Sequence, residues 1–391
     1  MTTETRQLTS EDLRALHALG HEAFGIPRLA EDAEPDPLRP GHRVVGVVED
    51  GRVLAAASGI DHRSYWHRTE VPSLGIGGVS VAVEHRGSGL LAGLLTDVHD
   101  TARSAGVALA TLYPSAPGIY RGLGYEVVGH VLTLAVPTAV LAQVRVPDGV
   151  RLRRAELADV PAVRDLYRRW AAGYNGPLTR TGPAFPATDA ELLAAPSGTT
   201  LVERDGELIG SCSFDRGHEV SPRAAIGVRD LVALEPDGYL ALLASLGSSA
   251  SVVGRVEIHT SGDDVVRLLT RSSDWEVVDR APYMLAVLDV AGACTQRRWP
   301  QLAVRLDLTV ADRDGEQGWS LELDGSGSAT CEPAPVRPGA PVLTRRGLAA
   351  RYAGSWSCHA LRQAGLLHGD AGSDPLLDAL FTGDFHVRDH F

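Results

Sequence analysis

The stretch Val79-Ser80-Val81-Ala82-Val83-Glu84-His85-Arg86-Gly87-Ser88-Gly89-Leu90-Leu91 decides how the rest of this chain folds. Its first five residues are small or apolar and read as the end of a strand. Two glycines follow, and Leu90, Leu91, Leu94, Leu95 and Val98 then recur at helical spacing. A strand that passes through a glycine turn into a helix presents successive backbone N–H groups at the positive end of the helix dipole. Such a turn can cradle a pyrophosphate. Gly87 and Gly89 allow close backbone approach, and Arg86 adds a fixed charge. The same residues also fit a plain tight β-to-α turn, and spacing leaves both readings open. The Gly-Lys-Ser/Thr of a P-loop is missing, and there is no complete dinucleotide fingerprint.

Working outward, the elements around this turn fall into a definite order. Thr9-Ser10-Glu11-Asp12 reads as a capping box before a helix carrying Leu13, Leu16, Leu19 and Phe24. A Pro-rich acidic loop spans 26–42. A hairpin then joins 44–48 to 53–58 through Asp50-Gly51. A strand over 74–83 contains Gly77-Gly78, the mark of a bulge or a close approach. After the 90–98 helix comes a strand at 107–113, then Pro114-Ser115-Ala116-Pro117, a short helix at 118–123 and a strand pair over 125–136. Beyond a linker at 136–150 the order repeats: strand, helix over 159–170, a hairpin at Asp205-Gly206, strand 226–234, helix 239–246 and strand 252–260. The repeat has Leu234-Glu235-Pro236-Asp237-Gly238 where the first copy has its glycine turn, so it is expected to have lost any phosphate site. A third region begins near Gly292, with strands at 302–310 and 319–324, a turn at 325–328, and helices at 346–352 and 374–381.

Composition removes several functions. The 391 residues carry 37 basic side chains, all arginine, against 49 acidic ones, for a formal net charge of −12. The arginine pairs are scattered and interleaved with acids, so no basic stripe offers itself to nucleic acid. An acidic protein suits cationic partners through long-range attraction. The loop carrying Glu31, Asp32, Glu34 and Asp36 fits a solvated surface or a lure for a polycation. Cys212, Cys294, Cys331 and Cys358 have no metal or redox spacing, and no cofactor metal is expected. His386 and His390 stand four apart beside Asp384 and Asp389, a metal pair if helical, otherwise a polar tail along a cleft. No apolar run is long enough to cross a membrane and no leader segment is evident, so the expected address is cytoplasmic.

Arg86-Gly87-Ser88-Gly89-Leu90-Leu91, after an antiparallel hairpin and a bulged strand, resembles the R-x-x-G-x-[GA] acyl-CoA motif of GNAT N-acetyltransferases; Leu91 departs at the last small position. Gly118-Ile119-Tyr120-Arg121-Gly122-Leu123-Gly124-Tyr125 is similar to the Y-x-x-x-G-[FY] segment of the same family. With two such halves, a smaller C-terminal domain and a terminal Phe391, the whole chain resembles the Eis-type (enhanced intracellular survival) acetyltransferases. The resemblance implies an α+β chain of tandem GNAT folds, with mixed, mostly antiparallel sheets flanked by helices. The expected units are a catalytic domain at 1–147, a degenerate one at 148–290 and a sterol-carrier-protein-like α/β domain at 291–391.

The resemblance also implies a site. Backbone groups of Val79, Ser80 and Val81 would face acetyl-CoA, and Gly87, Ser88, Gly89, Leu90, Leu91 and Ala92 would hold its pyrophosphate. Ser115 and Ala116 would line the pantetheine arm. Tyr120 would be the general acid and the terminal carboxylate of Phe391 the general base. The implied reaction is direct attack of a primary amine, on a polycation such as an aminoglycoside or on a lysine side chain, within a homo-hexamer. A phenol near pKa ~10 protonating a thiolate near ~8.5 works against about 2 kcal/mol, within reach of a positioned donor. A carboxylate deprotonates an ammonium only if burial shifts one of the two pKa values or water relays the proton. Two rivals are a lipid or small-molecule carrier built on the third domain and a ligand sensor with dead GNAT halves. The intact Arg86–Gly89 turn and Tyr120 speak against the sensor.

Overall fold

A computed structural model describes residues 3–185, 187–217, 221–262, 264–270 and 272–391. The first half contributes strands β1 (Glu4–Gln7), β2 (His42–Glu49), β3 (Arg52–Trp66), β4 (Thr69–Val81), β5 (Leu109–Leu112) and β6 (Glu126–Pro137). The second adds β7 (Val150–Arg154), β8 (Gly198–Arg204), β9 (Glu207–Asp215), β10 (Ser221–Ala233), β11 (Val253–Ser261) and β12 (Glu276–Val287). These form one sheet of 12 strands in the order β1-β2-β3-β4-β5-β12-β6-β11-β10-β9-β8-β7. Each half gives its last strand to the other. β12 lies antiparallel on β5, β6 lies antiparallel on β11, and β12 and β6 pair with each other at the seam.

Local chemistry explains most of these strands. The hairpins turn at Asp50-Gly51 and Asp205-Gly206, with φ of 47° and 77° and of 51° and 83°. Both central residues lie in the left-handed region, which matches the twist of a two-residue hairpin. A third hairpin, β3 to β4, turns at His67-Arg68 with φ of 45° and 65°. Asn175 holds that turn, accepting from the His67 N–H on its side-chain oxygen at 3.0 Å. Before helix α1 (Leu13–Phe24), the Asp12 carboxylate accepts the Thr9 N–H at 2.8 Å, which makes the expected capping interaction; the turn itself is 3-10. The strand pair expected over 125–136 is instead one strand, β6: Gly129 does not turn the chain but leaves room for the Phe385 ring.

Helix α2 (Leu90–Ser104) buries Leu94, Leu95, Val98 and Ala102 on the first half of the sheet, against Leu74, Ile76, Ala110 and Leu112. Helix Pro236–Gly247 does the same in the second half with Ala241, Leu242, Leu243 and Leu246. The third region is a five-stranded sheet, ordered β15 (Ala329–Ala334), β14 (Gly315–Asp324), β13 (Ala303–Asp312), β16 (Val342–Thr344), β17 (Leu367–His368). Thr344 caps helix Arg345–Tyr352, its hydroxyl accepting from the Gly347 N–H at 3.0 Å. The apolar core of this region is continuous with Trp66, Val71, Leu109, Tyr283 and Leu285 of the large sheet.

One buried carboxylate ties this region to the first half. Glu126 accepts from Arg121 at 2.8 Å and from Arg346 at 2.8 Å, and its side chain is 8% exposed. Burial opposes its ionisation, but the two guanidinium groups and the Val127 N–H outweigh burial and lower its pKa. A depressed carboxyl pKa contributes stability that is present above the unfolded value and lost as pH falls through the folded one. Glu126→Gln is therefore expected to destabilise by about 3 kcal/mol at neutral pH. The deficit should shrink on acidification, measured by urea unfolding at stepped pH.

Candidate active site

The site begins at a bulge. Ser58 pairs with Gly77 and Ala56 with Ser80, so Gly78 and Val79 together oppose Ala57 alone, and Gly78 has φ of 58°. On its other edge β4 pairs with β5 in parallel only as far as Ile76 and Leu112. Beyond that point the strands separate, and the edge of 77–81 facing β5 has no strand partner. An extended ligand lying in this opening would complete the edge with backbone hydrogen bonds. Val79, Ser80 and Val81 line it, with Ser80 buried and its hydroxyl donating to the Gly78 carbonyl at 3.3 Å.

The glycine turn lies just beyond. Gly87 and Gly89 have φ of 80° and 86°, and Gly89 is the N-cap of α2. The N–H groups of Gly87, Gly89, Leu90 and Leu91 have no backbone acceptor among the described residues, while Ala92 and Gly93 already close on the Gly89 carbonyl. The Ser88 hydroxyl donates to the His85 carbonyl at 2.5 Å and Arg86 donates to the Val81 carbonyl at 3.3 Å, fixing the turn. A Cβ at either glycine would meet nothing within 4 Å, so the demand for glycine comes from φ alone. Gly89→Val is expected to cost roughly 1–2 kcal/mol of backbone strain, raising the Kd for acetyl-CoA about tenfold in calorimetry.

Ser115 and Ala116 are exposed between β5 and helix α3 (Pro117–Arg121), with Ala116 as N-cap and Pro117 at the first helical position. Tyr120 is on this helix, 5% exposed, its ring 6.1 Å from that of Tyr125. Burial raises its pKa, and its hydroxyl has no hydrogen-bond partner among the described residues. Tyr125 is fully committed: its hydroxyl meets His99 Nε2 at 2.7 Å. Tyr113 is committed too, donating to the Asp389 carbonyl at 2.7 Å under the stacked ring of His390, centroids 4.2 Å apart.

Phe391 arrives at the bulge from the far end of the chain. A methyl on Gly77 would stand 3.8 Å from its carbonyl oxygen and 4.0 Å from its carbonyl carbon. Its ring lies on His62, centroids 4.7 Å apart, and on Tyr113 at 5.5 Å. The chain therefore brings the β4 bulge, the opening beside β5 and Phe391 together on one end of the sheet, with Tyr120 on the helix that follows β5.

Three participants escape motif reading. His62 is buried beside Phe391, its ring nitrogens unpaired, and burial lowers its pKa to about 4. The alternation of buried Ile60, His62 and Ser64 with exposed Asp61 and Arg63 was the available signal. Arg180, itself held by Asp230, grips Asp389 from the second half. His386 and His390 do not form a metal pair: the tail is not helical there, His386 faces Asp264 at 3.6 Å and His390 faces Tyr113. Among the described residues no group of three or more His, Cys, Asp or Glu side chains is placed to hold a metal ion, and no helix is long and apolar enough to cross a membrane.

Two bulged, splayed halves of one sheet, the first with an open glycine turn, define a tandem GNAT acyltransferase. GNAT acetyltransferase domain models match residues 4–128 and 176–287. An uncharacterized N-acetyltransferase of Streptomyces avermitilis is 31% identical, covering 93% of each chain. The N-acetyltransferase Eis of Mycobacterium bovis is 27% identical over 91% of this chain and 87% of its own. The crystal structure of a GCN5-related N-acetyltransferase from Kribbella flavida, 28% identical, superposes with a TM-score of 0.82 over 100% of this chain and 98% of that one. This chain belongs to the Eis-type GNAT N-acetyltransferase family and is an enzyme of acetyl transfer, for which the GNAT domains imply acetyl-CoA as the donor.

Proposed function

We propose that the enzyme acetylates primary amines of polycationic acceptors, aminoglycosides among them and lysine side chains as a further class. The observation that carries this reading is Phe391 at the β4 bulge, its carbonyl carbon 4.0 Å from where a Cβ on Gly77 would stand. A carboxylate in that position attracts a cation to the place where the acyl group would lie.

The residues present fit acetyl-CoA. Its pyrophosphate would rest on the 87–92 turn, through the N–H groups of Gly87, Gly89, Leu90 and Leu91 that have no backbone acceptor among the described residues. Its pantetheine arm would lie between Val79–Val81 and Ser115-Ala116. Acetyl-CoA supplies an activated acyl group; the remaining work belongs to the chain. Backbone N–H groups of Val79, Ser80 and Val81 stabilise negative charge on the thioester oxygen. Phe391, as the C-terminal residue, orients the ammonium and accepts its proton directly or through water. Tyr120 donates to the departing sulfur. Its raised pKa keeps it protonated across the neutral range, so loss of the acid on the alkaline side of kcat falls above the ordinary tyrosine value of about 10. We also assign the third region a sterol-carrier-protein-like fold with a structural role, keep the division at 147 and 290, and expect a cytoplasmic homo-hexamer.

The test is direct. Purified enzyme is mixed with acetyl-CoA and kanamycin, then with other amines and lysine peptides, and free thiol is followed. Thiol release that depends on the amine upholds the reading, and none across the panel overturns it.

A further inference from the structure

The second half repeats the geometry of the first with its chemistry removed. β10 carries a bulge at Arg229 and pairs with β11 in parallel only to Val228 and Ile258, so its edge opens as β4 does. The turn that follows excludes phosphate. Glu235 and Asp237 stand at the start of helix Pro236–Gly247, both paired with Arg204, and Pro236 supplies no N–H.

The opening is filled by the chain itself. Arg388 donates to the Leu231 carbonyl on the free edge of β10 at 3.2 Å, and its guanidinium lies 4.3 Å over the Trp170 ring. His386 reaches Asp264 beyond the end of β11. Asp230, on the bulged strand, lies 3.6 Å from Arg388 and is gripped by Arg180 at 2.6 and 2.9 Å; Arg180 also donates to Asp389 at 2.8 Å. Burial opposes ionisation of Asp230, but Arg180 and Arg388 hold it at about pKa 2, so Asp230 is ionised at neutral pH. Upstream, Asn175 brackets the tail: its N–H donates to the Asp384 carbonyl and its carbonyl accepts from the His386 N–H, both at 2.9 Å. Gly129 and Gly176, one from each half, leave the space for Phe385, where a methyl would approach the ring to 2.5 and 2.7 Å.

We infer that the second GNAT half is a socket: its opening between β10 and β11 receives residues 386–389 of this chain in place of a cofactor, and thereby positions Phe391 in the first half. Arg180, Asp230 and Arg388 are then positioning residues. This rests on the proposed role of Phe391 for its catalytic consequence, but the docking stands apart from it.

The full-length enzyme tests both. Calorimetry with acetyl-CoA should give one site per chain; two sites overturn the socket. Carboxypeptidase A should release Phe391 slowly from the parent. Arg180→Met and Asp389→Asn should speed that release at least about tenfold, since each breaks the Arg180–Asp389 pair that holds the tail. Gly129→Val, which touches no charge, should do the same by crowding Phe385. Unchanged release in all three variants overturns the inference. In the released variants kcat should fall about tenfold or more while the KM for acetyl-CoA stays within about twofold. Fast release with full turnover would keep the socket and remove the Phe391 carboxylate from the reaction, so the two ideas fail separately.

Discussion

Extending the chain beyond Phe391 by a short tag is expected to lower kcat about a hundredfold, the usual scale of a lost proton acceptor, with little change in acetyl-CoA binding or melting temperature. The tag converts the Phe391 carboxylate into an amide and pushes chain into the space before the bulge, where a Cβ on Gly77 would already stand 3.8 Å from the Phe391 oxygen. The glycine turn at Gly87–Gly89 lies on separate residues and stays intact. Phe391→Ala keeps a carboxylate and loses only the ring packed on His62 and Tyr113, so it should retain more activity than the tagged protein. Steady-state kinetics on the two, with the amine saturating, separate charge from packing. A tagged enzyme of full activity excludes the carboxylate from catalysis.

Tyr120→Phe is expected to reduce kcat by about 10²-fold and to leave the KM for acetyl-CoA within about twofold. The ring remains 5% exposed against Tyr125, and the hydroxyl removed has no partner among the described residues, so folding gives up little. The deletion should therefore appear in turnover rather than in stability. Tyr113→Phe is the informative contrast: its hydroxyl holds the Asp389 carbonyl at 2.7 Å, so its loss acts through the tail. Equal losses of kcat in the two variants, with equal release of the tail to carboxypeptidase, would take the acid role from Tyr120.

Which features were legible follows from how far each signal reaches along the chain. Asp50-Gly51 and Asp205-Gly206 announce hairpins because aspartate and glycine accept positive φ. His67-Arg68 makes the same turn, but neither residue advertises it; the turn is held by Asn175, more than a hundred positions away. The glycine turn and Tyr120 were visible because their local order is characteristic. β12 was not, since Glu-Val-Val-Asp-Arg-Ala-Pro at its start breaks the strand pattern and its place between β5 and β6 is set by pairing alone. The tail Asp384-Phe385-His386-Val387-Arg388-Asp389 reads as a polar tail along a cleft, with no sign of which cleft. Its His386, Val387 and Arg388 are buried because Asp230, Asp264 and Trp170 complement them across the fold, and no local spacing carries that information.

The traded strands constrain how the molecule is made. During synthesis the first half emerges with β5 lacking its neighbour, and it stays open-edged until residue 287 has left the ribosome tunnel. About 150 further residues must be translated while that edge waits, which suits recruitment of a chaperone more than folding one piece at a time. It also means that neither half can be excised as a closed unit. Neither copy retains the strand that closes its own sheet.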